Sequence, residues 1–253
     1  MRRIGIGALE DFTRVYEAAR KAASDDLLII IYTSQEVSEE ESGQVRFHIS
    51  PNPIHALING LLSGEIDGAV RGTLPSDATL RYLRESTTTS GLERIAVLET
   101  PEGKKFLLTP VGIDEGWTCS EKVSLVERAV ALAGCIGIDQ TIGILSGGRM
   151  SDIGRNPVVD RSLAEGELLA QLTGGVHTGI LIEEAANRYG IVIAPDGISG
   201  NLIFRTLVLL GSGRSHGAPV VNIDVTFVDT SRASDNYENA LRLAAKLCDL
   251  KKQ

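Results

Sequence analysis

The chain has 253 residues, a formal net charge of −8 and 43% apolar content, enough to bury one large hydrophobic core or two modest ones. That acidity argues against a general binder of nucleic acid or anionic membrane, while a local basic pocket for a phosphate stays compatible with it. Cys119, Cys135 and Cys248 show no C-x-x-C spacing, which argues against a disulfide framework and a structural zinc site.

No stretch approaches the ~20 apolar residues of a membrane span. The start, "MRRIGIGALEDFTRV", lacks a long apolar core and a cleavage signature, so a cytoplasmic location is expected.

In chain order, "RIGIGA" (3–8) reads as a strand and "LEDFTRVYEAARKAAS" (9–24) as an amphipathic helix. "DLLIIIYT" (26–33) follows as a buried strand, completing a βαβ opening. "PNPIHALINGLLSG" (51–64) is a helix opened by prolines and closed by Gly64. "EIDGAVRG" (65–72) then leads into the helix "LPSDATLRYLRES" (74–86), with Ser76 or Asp77 as the expected cap. "LERIAVLETPEGKKFLLTPVG" (92–112) reads as a hairpin around "PEGK".

A long helix is expected over 120–138, then the apolar run "QTIGILSGG" and a loop rich in Gly and Arg over 146–160. After it come a helix over 161–172, the strand "GIVIAPD" (190–196) and a Gly-led helix over 197–211. The last unit is one strand, "APVVNIDVTFV" (218–228), and a helix from about residue 234. This alternation predicts an α/β fold with mainly parallel sheets flanked by helices.

"IGIGALE" places Glu10 where a dinucleotide fingerprint needs its third glycine, so a tight βα turn is the better reading. His48, His55, His177 and His216 have no neighbouring ligand pair, and no metal site is expected.

Three strand-to-helix junctions carry the candidate chemistry. Gly72, Thr73, Ser76 and Arg81 stand at the first, where helix N–H groups face an anion or Ser76 merely caps the helix. Gly200 and Asn201 stand at the second, where a ligand approaches the backbone or Asn201 is a cap. At the third, "TFVDTSRASDNYENALRLA" (226–244), Ser231 and Arg232 form an anion clamp or a polar turn. There Glu238 is either an acid beside them or, with Asp235, half of a capping box.

The order and spacing of these junctions resemble the phosphate acetyl/butyryl transferase superfamily from about Gly64 onward. "GAVRGTLPSDATLR" (68–81) resembles that family's "GAVHTTADTLR", and "DGISGNLIFRTLVLLGSGRSHGAPVV" its "D…AGNI.YK….GG….GP". "DTSRASDNYENALRLAA" resembles its "DLSRG.S.ED..N.A…A". In shortness and diverged details the chain is most similar to the methanogen branch called the methyltransferase-related X subunit.

The resemblance implies a two-domain fold of the isocitrate/isopropylmalate dehydrogenase type, phosphotransacetylase-like. Residues 1–89 and 216–253 would form one domain and 90–215, with the hairpin, the other, with an active cleft between them. It also implies a homodimer, no tightly bound cofactor, and phosphate or an acyl phosphate with CoA as substrates. Arg232 would hold phosphate, Ser231 would donate to the oxyanion and Glu238 would replace the family's aspartate base, with Asp235 beside it. Gly72, Thr73, Ser76, Arg81, Gly200 and Asn201 would line the ligand. The departures, Glu238 and Ala233, favour the alternative of a methyltransferase-associated subunit with weak or no transacylase activity, docked on corrinoid methyltransferase subunits.

Overall fold

A computed structural model describes residues 1–37, 41, 43–234 and 236–250. The chain divides into two compact units, Met1–Leu92 with His216–Gln253, and Glu93–Ser215.

The first unit is a six-stranded sheet in the order β11-β12-β4-β1-β2-β3. β1 (Arg2–Gly7), β2 (Leu27–Thr33), β3 (Val45–Ile49), β4 (Gly68–Val70) and β12 (Thr226–Asp229) are parallel, because each crossover passes through a helix or a long connection. The helices are α1 (Phe12–Ala22), α2 (Pro53–Leu62), α3 (Ser76–Ser86) and α8 (Glu238–Leu250). The central strands are apolar on both faces, and Ile4, Ile6, Ile29, Ile31, Leu57 and Phe227 are fully buried between the layers.

Two expectations change here, and one strand was not anticipated. The strand expected over 218–228 is a hairpin: β11 (Ala218–Pro219) runs antiparallel to β12, and Val220 N donates to Phe227 O across the turn at 2.9 Å. Asn222 and Asp224, residues that favour turns, sit in the connection, and the valines around them disguised it as strand. β3 was not legible, because an edge strand reading "VRFHI" lacks both an apolar run and a clean alternation. Ser76 does not cap α3: it is the first helical residue, and the cap position is Pro75 with no side-chain bond.

The second unit is a sheet in the order β10-β5-β6-β9-β7-β8. β5 (Ala96–Glu99) and β6 (Lys105–Thr109) form an antiparallel hairpin, and β10 (Arg214–Ser215) adds antiparallel to β5. β6, β9 (Ile191–Ile193), β7 (Ile142–Leu145) and β8 (Val176–Gly179) are parallel. α4 (Cys119–Ile136) opens with a capping box of Thr118 and Glu121 and closes at Gly137 in the left-handed region.

α5 (Pro157–Thr173) begins inside the segment expected to be loop, because the Asn156 side chain accepts from Val158 N at 2.9 Å and caps it. β8 and the seven-residue α6 (Ile182–Arg188) are too short for a periodic signal. α7 (Gly197–Arg205) gives way to a π-helical turn at Thr206–Leu210, where one helix was expected. Among the described residues no helix is long and apolar enough to cross a membrane.

Candidate functional site

The chain runs from β1 to β2 and β3 on one side and then crosses back to β4 on the other, so the strand order reverses between β1 and β4. Parallel sheets bind ligands at the carboxyl ends of strands beside such a switch point. Here that position gathers the ends of β1, β4 and β12, and with them residues 7–10, 71–73 and 229–234.

Backbone and hydroxyl bonds fix these ends to one another. Thr73 N donates to Gly7 O at 3.1 Å, and Thr73 Oγ1 accepts from Leu9 N at 3.0 Å and Glu10 N at 3.2 Å. Thr73 is fully buried, so its hydroxyl shapes the β1–α1 turn. Thr230 Oγ1 donates to Gly72 O at 3.1 Å, tying the end of β12 to that of β4. Gly72 sits at φ +62, and a Cβ there would collide with Gly7 O. The glycine thus lets two strand ends approach.

Arg71 and Asp229 form a buried ion pair beneath these ends, and Arg71 Nη1 donates to Leu74 O at 2.7 Å. The loop after β12 is clamped from outside by Arg14 of α1. Arg14 Nη1 donates to Ser234 O at 2.8 Å and Nη2 to Arg232 O at 3.2 Å, while the guanidinium lies 5.6 Å from the centroid of the Tyr237 ring. The Tyr237 hydroxyl reaches the carbonyls of Ser231 and Arg232, both at 3.3 Å, and burial pushes its pKa up.

On this clamped loop the Arg232 side chain stands about half exposed, its Nη1 3.3 Å from Glu10 Oε1. Ser231 Oγ accepts from Ala233 N at 3.2 Å, closing a tight turn. Asp235 lies outside the described residues. Glu238 opens α8: its N–H donates to Asn236 Oδ1 at 2.7 Å and its carboxylate takes Arg242, one helical turn on, at 2.9 Å. Ser76 starts α3, whose first N–H groups have no side-chain cap, and Arg81 is exposed one turn further along.

Gly200 and Asn201 belong to the second unit. A Cβ at Gly200 would collide with Pro110 O, and Asn201 Nδ2 donates to Val111 O at 3.1 Å. Both therefore press α7 onto the loop after β6. Glu115 holds that loop by accepting from Arg94 Nε at 2.6 Å and Gly112 N at 3.2 Å; burial raises its pKa, against the pull of Arg94.

Sequence reasoning missed Arg14 and Tyr237, which hold the loop, and the Arg71–Asp229 pair beneath the strand ends. It also missed a constellation at the end of β7: His177 Nε2 lies 2.8 Å from Ser146 Oγ and its Nδ1 3.3 Å from Glu167 Oε2. A nucleophile, base and orienting acid share this geometry. Ser146, however, is only 2% exposed, so the array is a hydrogen-bond relay whose serine end is closed to solvent while Glu167 reaches the surface. Among the described residues no group of three or more His, Cys, Asp or Glu is placed to hold a metal ion.

The first unit thus presents an arginine on a rigid loop, a serine hydroxyl and an uncapped helix N-terminus at one set of strand ends. Groups of this kind hold anions. Compared with known proteins, the chain is 38% identical over 258 residues to "Putative methyltransferase mtx subunit X" of Methanosarcina mazei, covering 99% of this chain and 92% of that one. The protein of the same name from Methanosarcina barkeri is 36% identical, covering 99% of this chain and 95% of its own.

The chain belongs to the mtx subunit X family. No family model matches it. Among solved structures, a branched-chain phosphotransacylase from Enterococcus faecalis is similar with a TM-score of 0.77 at 18% identity, covering 98% of this chain and 99% of that one. A phosphotransacetylase from Streptococcus pyogenes gives 0.64 at 16% identity, covering 99% and 94%. The fold of this family member is therefore phosphotransacetylase-like.

Proposed function

We propose that the chain is a transferase that binds a phosphate-bearing ligand at the carboxyl ends of β1, β4 and β12. The carrying observation is Arg232, half exposed on a loop whose carbonyls are held by Arg14 and Tyr237. An arginine whose backbone is already held has less freedom left to lose on taking a phosphate. The uncapped N-terminus of α3 supplies further donors, with Ser76 and Arg81 nearby.

The most concrete reaction is acyl transfer between an acyl phosphate and CoA. A base takes the thiol proton, the thiolate attacks the acyl carbonyl, and the C–O bond to phosphate breaks as the thioester forms. Ser231 would donate to the developing oxyanion and Glu238 would be the base.

A second reading rests on Glu238 itself. Its carboxylate is engaged with Arg242 on the helix, which favours a methyltransferase-associated subunit that keeps the anion site but has weak or no transacylase activity. The relatives' names point the same way. Such a subunit would dock on corrinoid methyltransferase components.

Acetyl or butyryl phosphate with CoA, followed by thioester absorbance, separates the two. Turnover that is lost in Arg232→Ala supports the enzyme. Phosphate binding without turnover supports the subunit, and absence of phosphate binding overturns both. We also propose a homodimer through the second unit, where Ile198, Leu202 and Leu210 are exposed; a monomeric mass by light scattering would refute it.

A further inference from the structure

The Glu10 carboxylate is the one acidic group seen against the Arg232 guanidinium among the described residues, and its position is not left to chance. Its backbone N–H is bound by Thr73 Oγ1 at 3.2 Å, as is that of Leu9 at 3.0 Å, so the end of β1 is tied to the end of β4. The next residue, Asp11, adopts φ 48 and ψ 55, a left-handed conformation that a non-glycine residue takes at a cost of about 1–2 kcal/mol. That conformation turns the chain sharply into α1, and Asp11 Oδ2 pairs with Arg14 Nε at 3.1 Å. Arg14 in turn holds the Arg232 carbonyl. One short segment, residues 10–14, therefore holds the backbone of Arg232 and carries, on an anchored backbone, the carboxylate that its side chain meets.

The pair itself is weakly held. Its atoms are 3.3 Å apart, and the side chains are 49% and 66% exposed. Exposed pairs of this kind contribute little, about 0.2–1 kcal/mol. A phosphate offers the same fork a bidentate, doubly charged acceptor and outcompetes a single carboxylate oxygen.

We infer that Glu10 is a resident counter-anion for Arg232, a carboxylate latch that holds the guanidinium over the strand ends until an incoming phosphate displaces it. This rests on the reading of Arg232 as the phosphate group's partner. The latch sets the affinity threshold of the site: a ligand must bring more than one carboxylate's worth of charge and donor geometry. It lowers the affinity of every anion that must displace it by the same factor, so only ligands that engage the fork strongly, as a phosphate does, occupy the site.

The test is calorimetric titration of the full chain with inorganic phosphate and, separately, acetate. In Glu10→Gln the latch predicts phosphate binding tighter by roughly two- to fivefold, the range of an exposed pair, and a gain of at most the same factor for acetate, because both anions are relieved of the same displacement. Glu10→Asp keeps the charge but withdraws it by a methylene, so a latch that works by direct contact predicts a gain there as well. Glu17→Gln, on an exposed position of α1, reports the effect of removing one negative charge from this unit without touching the proposed phosphate contacts.

Gains in Glu10→Gln and Glu10→Asp but not in Glu17→Gln establish the latch. Wild-type binding that is lost in Arg232→Gln but unchanged or weakened in Glu10→Gln overturns the latch and leaves the phosphate site standing. Equal gains in Glu10→Gln and Glu17→Gln, with none in Glu10→Asp, also overturn it. No phosphate binding by wild type or Glu10→Gln overturns the site and the latch together.

Discussion

Arg71 and Asp229 pair side by side beneath the carboxyl ends of β4 and β12, with the Arg71 side chain 5% exposed and that of Asp229 12%. The two strands are neighbours in the sheet, and Arg71 N also donates to Val228 O at 3.0 Å. Removing one partner of a buried pair strands the other charge. Asp229→Asn is expected to lower unfolding free energy by about 3–5 kcal/mol in urea titration. The double replacement Arg71→Met/Asp229→Leu should recover most of that; a double variant as unstable as the single would refute this account.

Arg14 joins α1 to the Ser231–Ser234 loop through two carbonyl bonds. Arg14→Ala is expected to free that loop and cost about 1.5–3 kcal/mol, the range for hydrogen bonds to a charged group. Trypsin reads this directly, since cleavage after Arg232 requires the local chain to open. Faster cleavage at that bond should appear in the variant, and an unchanged digestion pattern would count against the clamp.

Gly72→Ala drives a methyl into Gly7 O at a positive φ. Strain alone costs about 1–2 kcal/mol, and the clash adds to it. A thermal melt should show a clear drop in midpoint, whereas Gly64→Ala, also at positive φ but with nothing within 4 Å, should show only the strain.

Tyr32 is fully buried with a hydroxyl that has no hydrogen-bond partner, and burial, helped by Glu65, raises its pKa from 10.0 to about 12. The unfolded chain thus loses this proton before the folded one does. Stability is intact below pH 10 and falls as pH climbs from 10 towards about 12. Tyr32→Phe removes the titrating group and the unsatisfied hydroxyl. It should match or exceed wild-type stability at pH 7 and flatten the alkaline limb of a pH series of urea midpoints.

Ser146 sits with His177 and Glu167 in a nucleophile-like array but is buried. A fluorophosphonate probe is expected to leave the folded chain unlabelled at Ser146. Labelling at that residue, read by peptide mass spectrometry, would show that the relay opens.

The βαβ opening, the hairpin of the second unit and the glycine-led junctions were legible because apolar runs and turn residues coincide there. β3, β8 and α6 were not, since short or edge elements carry too few residues for a period to emerge. At the site, Arg232 and Ser231 stood out as a polar knot between strand and helix. Their supports did not, because Arg14 looks like any charged helix residue and Tyr237 like a helix aromatic until the fold brings them to the loop.

Periodicity and turn chemistry, which depend on near neighbours in the chain, determined the α/β class, the parallel character of the sheets and the three junctions. Which junctions meet depends on strand order, a long-range property that no local pattern encodes. Only the tertiary structure put β4 and β12 side by side, linked Thr230 to Gly72 and set Glu10 against Arg232 across 222 positions of sequence. It also brought the Pro110 carbonyl so close to Gly200 that any side chain there would strike it, and bonded Asn201 to Val111 O.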